Sequence, residues 1–400
     1  MISQKSLDIV EATVEVVREN GLAITSTFYS NLLTAHPELK NLFNMSSQAN
    51  GEQQQALASA VYAYAANINK PAVLEPVLNR IAHKHASLGI KPAQYTVVGR
   101  HLMSAIKKVL GEAATDDIMA AWDEVYWLLA CDLVAREATL YAQKELDDGH
   151  WLGLKVIKVV KETDQTNSLY LSRVDGLKLP NFHAGQYISV AMEENGFTQI
   201  RQYSLSDTPD QDMWRITVKK EEAKTEPVEA PSGYLSNRIH NLKEGDLLRG
   251  SYPYGDFILS HDDEAVVMLS AGVGITPMVS MLKSLAEKSP EKSIHFYHAA
   301  QSAKHVALAS DVNLTLPMLK DCQHGYFYQE AECADEGNNF QGYMDLSQTK
   351  VTDDIESAKY YLCGPVAFMR QQRKYLQEKG VPAEKIQYEV FGSDLLVGLN

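Results

Sequence analysis

The chain has 400 residues, more than one core fills, because single cores stop growing near about 250–300 residues. Apolar residues make up 45% and charged residues 22%, a globular mixture that excludes global disorder. The net charge of −14 argues against a general nucleic-acid binder, and no apolar run reaches the ~20 residues of a membrane span. Neither nucleic-acid binding nor stable membrane insertion is therefore expected. The N-terminus is amphipathic rather than a basic-then-apolar signal, so a cytoplasmic protein is expected. Cys131, Cys322, Cys333 and Cys363 lack CxxC spacing, which suggests neither a disulfide framework nor a zinc site.

Residues 1–146 hold only 5 of the 23 glycines and 4 of the 14 prolines, so chain breakers are sparse there. Helical stripes recur in this stretch: Leu7, Val10, Val14, Val17; then Leu57, Val61, Tyr64, Ile68; then Tyr95, Val98, Leu102, Ile106, Val109; then Trp122, Val125, Leu129, Leu133. An all-α domain over 1–146 is predicted. The polar run Lys144–Gly149 reads as a linker. Short β-rich runs separated by turn residues follow, predicting an antiparallel β-barrel over 150–260. From 264 to 400, strand-like runs such as VVMLSAG, IHFYHAA and KYYLCG alternate with helical ones. That alternation predicts an α/β domain with a parallel sheet.

His85 falls on the stripe of Leu78, Ile81 and Leu88, whereas His83 lies off it and is expected to be solvated. A lone histidine on an apolar face is more often a hydrogen-bonded core residue than a ligand. One neutral imidazole facing an apolar pocket is, however, what haem iron uses on its proximal side. Glu137 lies on the stripe of Leu129, Leu133 and Leu140. It reads either as an edge salt bridge to Arg136 or Lys144, or as the acceptor that orients a ligand histidine.

The segments 28–61 and 81–102 resemble the globin domain of bacterial flavohaemoglobins. The resemblance implies haem b on His85, with Tyr95 and Glu137 as its proximal network. It places Phe43 against the haem, Tyr29 over the bound gas, and Gln53 and Leu57 on the distal helix. Lys84, beside the ligand, either tunes the redox potential or is an exposed helix lysine.

Later motifs extend the likeness. Gly185-Gln186-Tyr187, then Arg201-Gln202-Tyr203-Ser204, then Ser232-Gly233-Tyr234-Leu235-Ser236 resemble the flavin domain of the ferredoxin–NADP reductase superfamily. Arginine offers a fork to a pyrophosphate, tyrosine a flat face to a flavin ring, and serine a hydroxyl to its polar edge. The Pro/Glu-rich run before Ser236 reads as an exposed loop. Gly272-Val273-Gly274-Ile275-Thr276-Pro277 lets a backbone approach a pyrophosphate, with Thr276-Pro277 expected to cap and start a helix. Together with Cys363-Gly364-Pro365 and Glu389-Val390-Phe391-Gly392-Ser393 it resembles the nicotinamide domain of that superfamily. The likeness implies Cys363 near the nicotinamide, Phe391 against the isoalloxazine, and Glu389 between flavin and haem.

The implied cofactors are haem b, FAD and NAD(P)H, and the implied ligands are O2 and NO, in a monomer. The implied activity is nitric oxide dioxygenase, turning NO and O2 into nitrate with electrons from NAD(P)H. Two alternatives stay open: a haem-based gas sensor or store that keeps itself reduced, and a general flavin reductase or NADH oxidase.

Overall fold

The computed structural model describes residues 2–43, 51–146, 150–194, 196–221, 234–260, 262–330, 338–349, 351 and 358–392. The first part is helical: α1 Gln4–Glu19, α2 Gly21–Ala35, α3 Glu52–Ala66, α4 Pro71–Leu88, α5 Pro92–Leu110 and α6 Asp116–Ala142. Local chemistry sets the ends. Pro71 and Pro92 sit in the first turns of α4 and α5, where a missing N–H costs nothing. Thr115 accepts the Ile118 amide at the start of α6, and Asp116 and Asp117 face the positive end of its dipole. The helices close around Val10, Phe28, Leu32, Ala82, Leu102, Ile106 and Trp122, all at most 2% exposed.

The second part holds β1 Trp151–Thr163, β2 Thr166–Arg173, β3 Tyr187–Glu194, β4 Phe197–Ser204, β5 Trp214–Lys219 and β6 Leu247–Ser251, with a short helix α7 at Tyr234–His240. The strands form one antiparallel sheet in the order β4-β3-β6-β1-β2-β5. Its two edges meet where Leu205 bridges Ile216, and the Ser206 amide donates to the Arg215 carbonyl at 2.8 Å. The predicted barrel is thus closed at that corner by the residues following the RQYS motif. Alternating inward residues, among them Leu154, Val156, Leu169, Ile188, Val190 and Ile216, fill it.

The third part is a parallel sheet of β7 Ala265–Ala271, β8 Ser293–Ala300, β9 Asp321–Tyr328, β10 Asn339–Gln341, β11 Ala358–Cys363 and β12 Ile386–Glu389. Its order is β10-β9-β8-β7-β11-β12. Strands added after β7 run outward on one side until β11 returns to the other side of β7. The crevice beyond the carboxyl ends of β7 and β11 is therefore the topological switch point, where open α/β sheets take their ligands. Helices α8 Ile275–Lys288 and α10 Val366–Glu378 start from those same two strand ends, and a seven-residue helix, α9 Ala309–Thr315, follows β8.

Two departures from the sequence expectations concern this part. Helix α8 begins at Ile275, one residue before Thr276, with Gly274 at the cap. Thr276 does not cap: its hydroxyl donates backwards to the Val273 carbonyl at 3.0 Å. Pro277 is tolerated because it sits in the first turn.

The barrel and the parallel sheet are joined by buried charge. Arg215, 2% exposed, donates to Asp311 of α9 at 2.9 and 3.0 Å and lies 3.8 Å from Asp207. Lys283 of α8 pairs with the same two aspartates. Removing one member of such a set leaves the others desolvated, which costs several kcal/mol. Arg215→Ala is expected to destabilise the barrel and parallel-sheet half by about 3 kcal/mol. A denaturant midpoint equal to that of the unsubstituted chain would refute this.

Candidate functional site

The helical part builds one polar constellation inside an apolar wall. His85 lies on the last turn of α4, Tyr95 on the first turn of α5, and Glu137 near the end of α6. Tyr95 donates its hydroxyl to Glu137 Oε1 at 2.5 Å. His85 Nδ1 lies 2.8 Å from the Tyr95 hydroxyl and 2.9 Å from the same carboxylate oxygen. The tyrosine proton is already committed to Glu137, so Nδ1–H must be the donor, which leaves the lone pair on Nε2. The Glu137 side chain is 3% exposed, whereas His85 keeps 31%. The ring thus has one face fixed in the core and one open. Burial first, and the Glu137 charge second, push the Tyr95 hydroxyl well up, so it stays a donor. The salt-bridge reading of Glu137 fails. Arg136 pairs with Glu75 and Asp132, and Lys144 sits over the Tyr254 ring.

Tyr29 on α2 is 5% exposed and packs edge-on against Phe28 and Phe43, at ring centroid distances of 4.8 and 5.4 Å. Burial raises its hydroxyl far above the usual range. Gln53 and Leu57 lie one turn apart on α3. Phe43, Leu57, Val61, Ile81 and Val98 pack on the core without being closed over. A deprotonated Nε2 beside partly open apolar side chains is the donor set that haem iron takes; these residues fit the group.

In the barrel, Arg201, Gln202, Tyr203 and Ser204 end β4, in register with Val190, Ser189, Ile188 and Tyr187 of β3. Alternation along the strand separates their side chains. Ser204 is 4% exposed and its hydroxyl is without a hydrogen-bond partner among the described residues. An orphaned buried hydroxyl at this point fits a ligand with a polar edge. Arg201 donates to the Ile200 carbonyl at 2.7 Å. Tyr187 is 7% exposed, with its hydroxyl raised by burial and by Glu389 and Asp256. Gly185 is needed before it: at φ +104°, a Cβ there would meet the Phe257 carbonyl at 2.1 Å. Ser236 lies on α7 and accepts the Glu221 amide at 3.1 Å. Ser232 and Gly233, with the Pro/Glu-rich run, lie outside the described residues.

At the switch point the two strand-end motifs touch. A Cβ on Gly274 would lie 2.2 Å from the Cys363 carbonyl and 2.7 Å from the Gly364 nitrogen. Gly272–Pro277 and Cys363–Pro365 can therefore share the crevice only because residue 274 is glycine. Cys363 is fully buried and its thiol is pushed well up by burial. The cleft beside Gly272 and Val273 is completed across the barrel by Thr163, Gln165 and Lys219, room that suits a pyrophosphate carried on backbone N–H groups.

Glu389 closes the gap between the three parts. It ends β12 in register with Cys363. Burial and Asp256 raise its carboxyl to about 7, against the opposing charges of Arg80 and Lys84. Lys84 is not an exposed lysine. Its ammonium donates to Gln202 Oε1 at 2.5 Å, and burial lowers it to about 8. Val390 is half-buried, Phe391 is 43% exposed, and Gly392 has φ +134°. Ser393 lies outside the described residues.

Sequence reasoning missed the seam between globin and barrel. His83 is not solvated: its Nδ1 accepts the Gly255 amide at 3.0 Å. Arg80 lies 3.6 Å from Asp256 and 4.7 Å above the Tyr388 ring. The Thr198 amide donates to Asn41 at 2.8 Å. None of these residues carries a motif, so only the assembled chain shows them.

Two outcomes are expected. His85→Ala loses stable haem, while His83→Ala keeps a near-normal haem spectrum; comparable loss in both would overturn the assignment of the ligand. Arg201→Ala releases FAD on gel filtration but retains haem, and stoichiometric flavin after the column would count against that contact.

Comparison with known proteins bears on the whole length. Three family models match in sequence: Globin over residues 26–133, Oxidoreductase FAD-binding domain over 154–258, and Oxidoreductase NAD-binding domain over 268–374. A flavohemoprotein of Rhizobium meliloti is 44% identical, covering 99% of both chains. One from Bacillus subtilis is 40% identical over 99% of this chain and 98% of its own. The solved flavohemoglobin of Malassezia yamatoensis, with bound FAD and heme, superposes with a TM-score of 0.87 at 33% identity, covering 98% of this chain and 100% of that one. The FAD/NAD-binding domain of a nitric oxide dioxygenase from Vibrio cholerae matches with a TM-score of 0.55 at 32% identity, over 60% of this chain and 98% of its own. With a globin, an FAD-binding barrel and an NAD-binding sheet matched end to end, the chain belongs to the flavohaemoprotein family.

Proposed function

We propose that this protein is a nitric oxide dioxygenase. Two NO and two O2 take the electron pair of one NAD(P)H, giving two nitrate, one NAD(P)+ and one proton. The observation that carries the reading is the buried Glu137 carboxylate on His85 Nδ1. A carboxylate there makes the imidazole a stronger electron donor through Nε2, which favours chemistry on bound O2 over simple carriage. A reductase in the same chain serves a reaction that consumes electrons in every cycle. When bound, the nicotinamide supplies hydride, the flavin divides the pair into single electrons, and haem iron activates O2.

The chain's own groups have distinct tasks in this reading. His85 is the iron ligand, and Tyr95 and Glu137 hold its tautomer. Phe43, Gln53 and Leu57 shape the gas pocket, and the Tyr29 hydroxyl donates to the gas. Tyr187, Arg201, Gln202, Tyr203, Ser204 and Ser236 hold FAD, with Phe391 and its neighbours Val390, Gly392 and Ser393 beside it. Gly272–Pro277 and Cys363–Pro365 hold the dinucleotide. Glu389 stands between the flavin and haem sites, and Lys84, on the ligand helix beside His85, tunes the redox potential. The working units are residues 1–146, 150–260 and 264–400.

Rapid NADH consumption only when NO and O2 are both present supports this reading. Consumption with O2 alone at the same rate would make the protein an NADH oxidase. No sustained consumption under either condition would leave a sensor or store.

Tyr29→Phe tests the chemistry in the pocket. A neutral hydrogen bond contributes about 1 kcal/mol, so the O2 dissociation rate is expected to rise roughly fivefold. NO-dependent NADH oxidation falls at limiting O2, while FAD reduction by NADH is unchanged. A packing tyrosine predicts the opposite: lower thermal stability with an unaltered O2 dissociation rate, and that result would remove the donor role.

A further inference from the structure

Four side-chain groups cross the seam between the globin and the barrel in one directed sequence. Lys84 Nζ donates to Gln202 Oε1 at 2.5 Å. Gln202 Nε2 donates to Ser189 Oγ at 2.9 Å. Ser189 Oγ donates to Ser87 Oγ at 3.0 Å. Ser87 Oγ donates to the Lys84 carbonyl at 2.8 Å. The circuit starts and ends on one residue of the ligand helix α4. Both serine hydroxyl protons have an acceptor in the circuit, and Gln202 accepts through Oε1 and donates through Nε2, so its amide orientation and both hydroxyl rotors are fixed. Ser189 and Ser87 are 0% and 1% exposed, which removes water as a substitute partner. The Ser189 amide is itself held by Ser251 Oγ at 2.9 Å, which roots the circuit in β3 and β6.

We propose that Ser189 is a positioning residue for electron passage from the flavin domain to the globin. It locks Gln202, one residue along from Arg201 and Tyr203, to Ser87, two residues along from His85. The circuit crosses the seam twice, from Lys84 to Gln202 and from Ser189 to Ser87, and Ser189 is the side chain that ties the second crossing to Gln202. Loss of its hydroxyl removes the acceptor of the half-buried Gln202 amide and strands a lone pair of the buried Ser87 hydroxyl, which weakens the docked arrangement against an opened one. The proposal rests on the family's flavin-to-haem electron passage and not on which gas is turned over.

The experiment uses the full holoprotein. Haem reduction by NADH is followed under carbon monoxide, without NO, in Ser189→Ala, Ser189→Thr and Ser87→Ala. Amide hydrogen exchange is measured at Thr198 and Gly255, because both amides are donated across this seam, to Asn41 and His83. In Ser189→Ala the haem reduction rate is expected to fall about fivefold, the factor that one ordinary hydrogen bond represents. Exchange at Thr198 and Gly255 rises by a similar factor, and FAD reduction by NADH keeps its rate. Ser189→Thr, which keeps a hydroxyl, restores both readouts, and Ser87→Ala reproduces the defect. A lower melting temperature with unchanged haem reduction and unchanged exchange would overturn the proposal. So would an equal loss in FAD reduction, which would mean general damage to the reductase.

Discussion

Glu137 is the group on which the helical part depends. A carboxylate with 3% exposure is unfavourable unless its oxygens are bonded. Here one oxygen takes both Tyr95 and His85, so three helices, α4, α5 and α6, are held to one atom. Tyr126 adds a further tie by donating to the Tyr95 carbonyl at 2.5 Å. The same bond that satisfies the acid also fixes the histidine tautomer. Stability and chemistry therefore cannot be separated at this position: an apolar replacement would relieve the buried charge and lose the orientation of the ring.

The reductase half obeys a different constraint, set by backbone rather than charge. The crevice between β7 and β11 exists because strand order reverses there. Gly274 lets the two loops that line it approach to within contact of the Cys363 carbonyl. The side chains around it, Thr276, Ile275 and Cys363, are buried and serve packing. The cleft beside Gly272 and Val273 takes the rest of its wall from polar side chains, Thr163, Gln165, Lys219 and Gln301 among them. The buried Arg215–Asp311–Asp207–Lys283 set then holds the sheet against the barrel.

Much of this was legible in the sequence because it is periodic or local. The helical stripes gave α1, α3, α5 and α6, and the alternating runs gave β1 to β5. The parity of His85 and Glu137 with their apolar neighbours pointed both side chains inward before any contact was known. The short strands β6, β10 and β12 went unread, since three to five residues carry too little alternation. Helix α8 starts two residues early because a glycine can cap without a side chain, a feature the motif does not encode. The solvated reading of His83 and the exposed alternative for Lys84 fail in one way. Both lie off the apolar stripe of α4, and a single-helix view assigns that face to water. In the chain it faces the barrel.

At that off-stripe face the two domains share only a small aromatic cluster, Ala86 and Tyr141 against Tyr187 and Tyr254, beside a set of paired polar contacts. The polar contacts across it are paired: His83 with Gly255, Arg80 with Asp256, Asn41 with Thr198, and the Lys84–Gln202–Ser189–Ser87 circuit. Apolar contacts are tolerant of sliding, because area is conserved when surfaces shift slightly. Directed hydrogen bonds among buried groups are not, because a displaced donor is left without water or partner. A seam that must hold a one-electron donor and acceptor at fixed separation is better served by the second kind. Glu389 and Lys84 add the electrostatic counterpart. Burial favours the neutral form of each, while their mutual attraction favours the charged forms. The pair is therefore more sensitive to a change of charge nearby than a solvated pair would be. The ligand helix thus carries two faces with two functions: the apolar one holds the iron ligand, and the polar one registers that ligand against the domain that supplies its electrons.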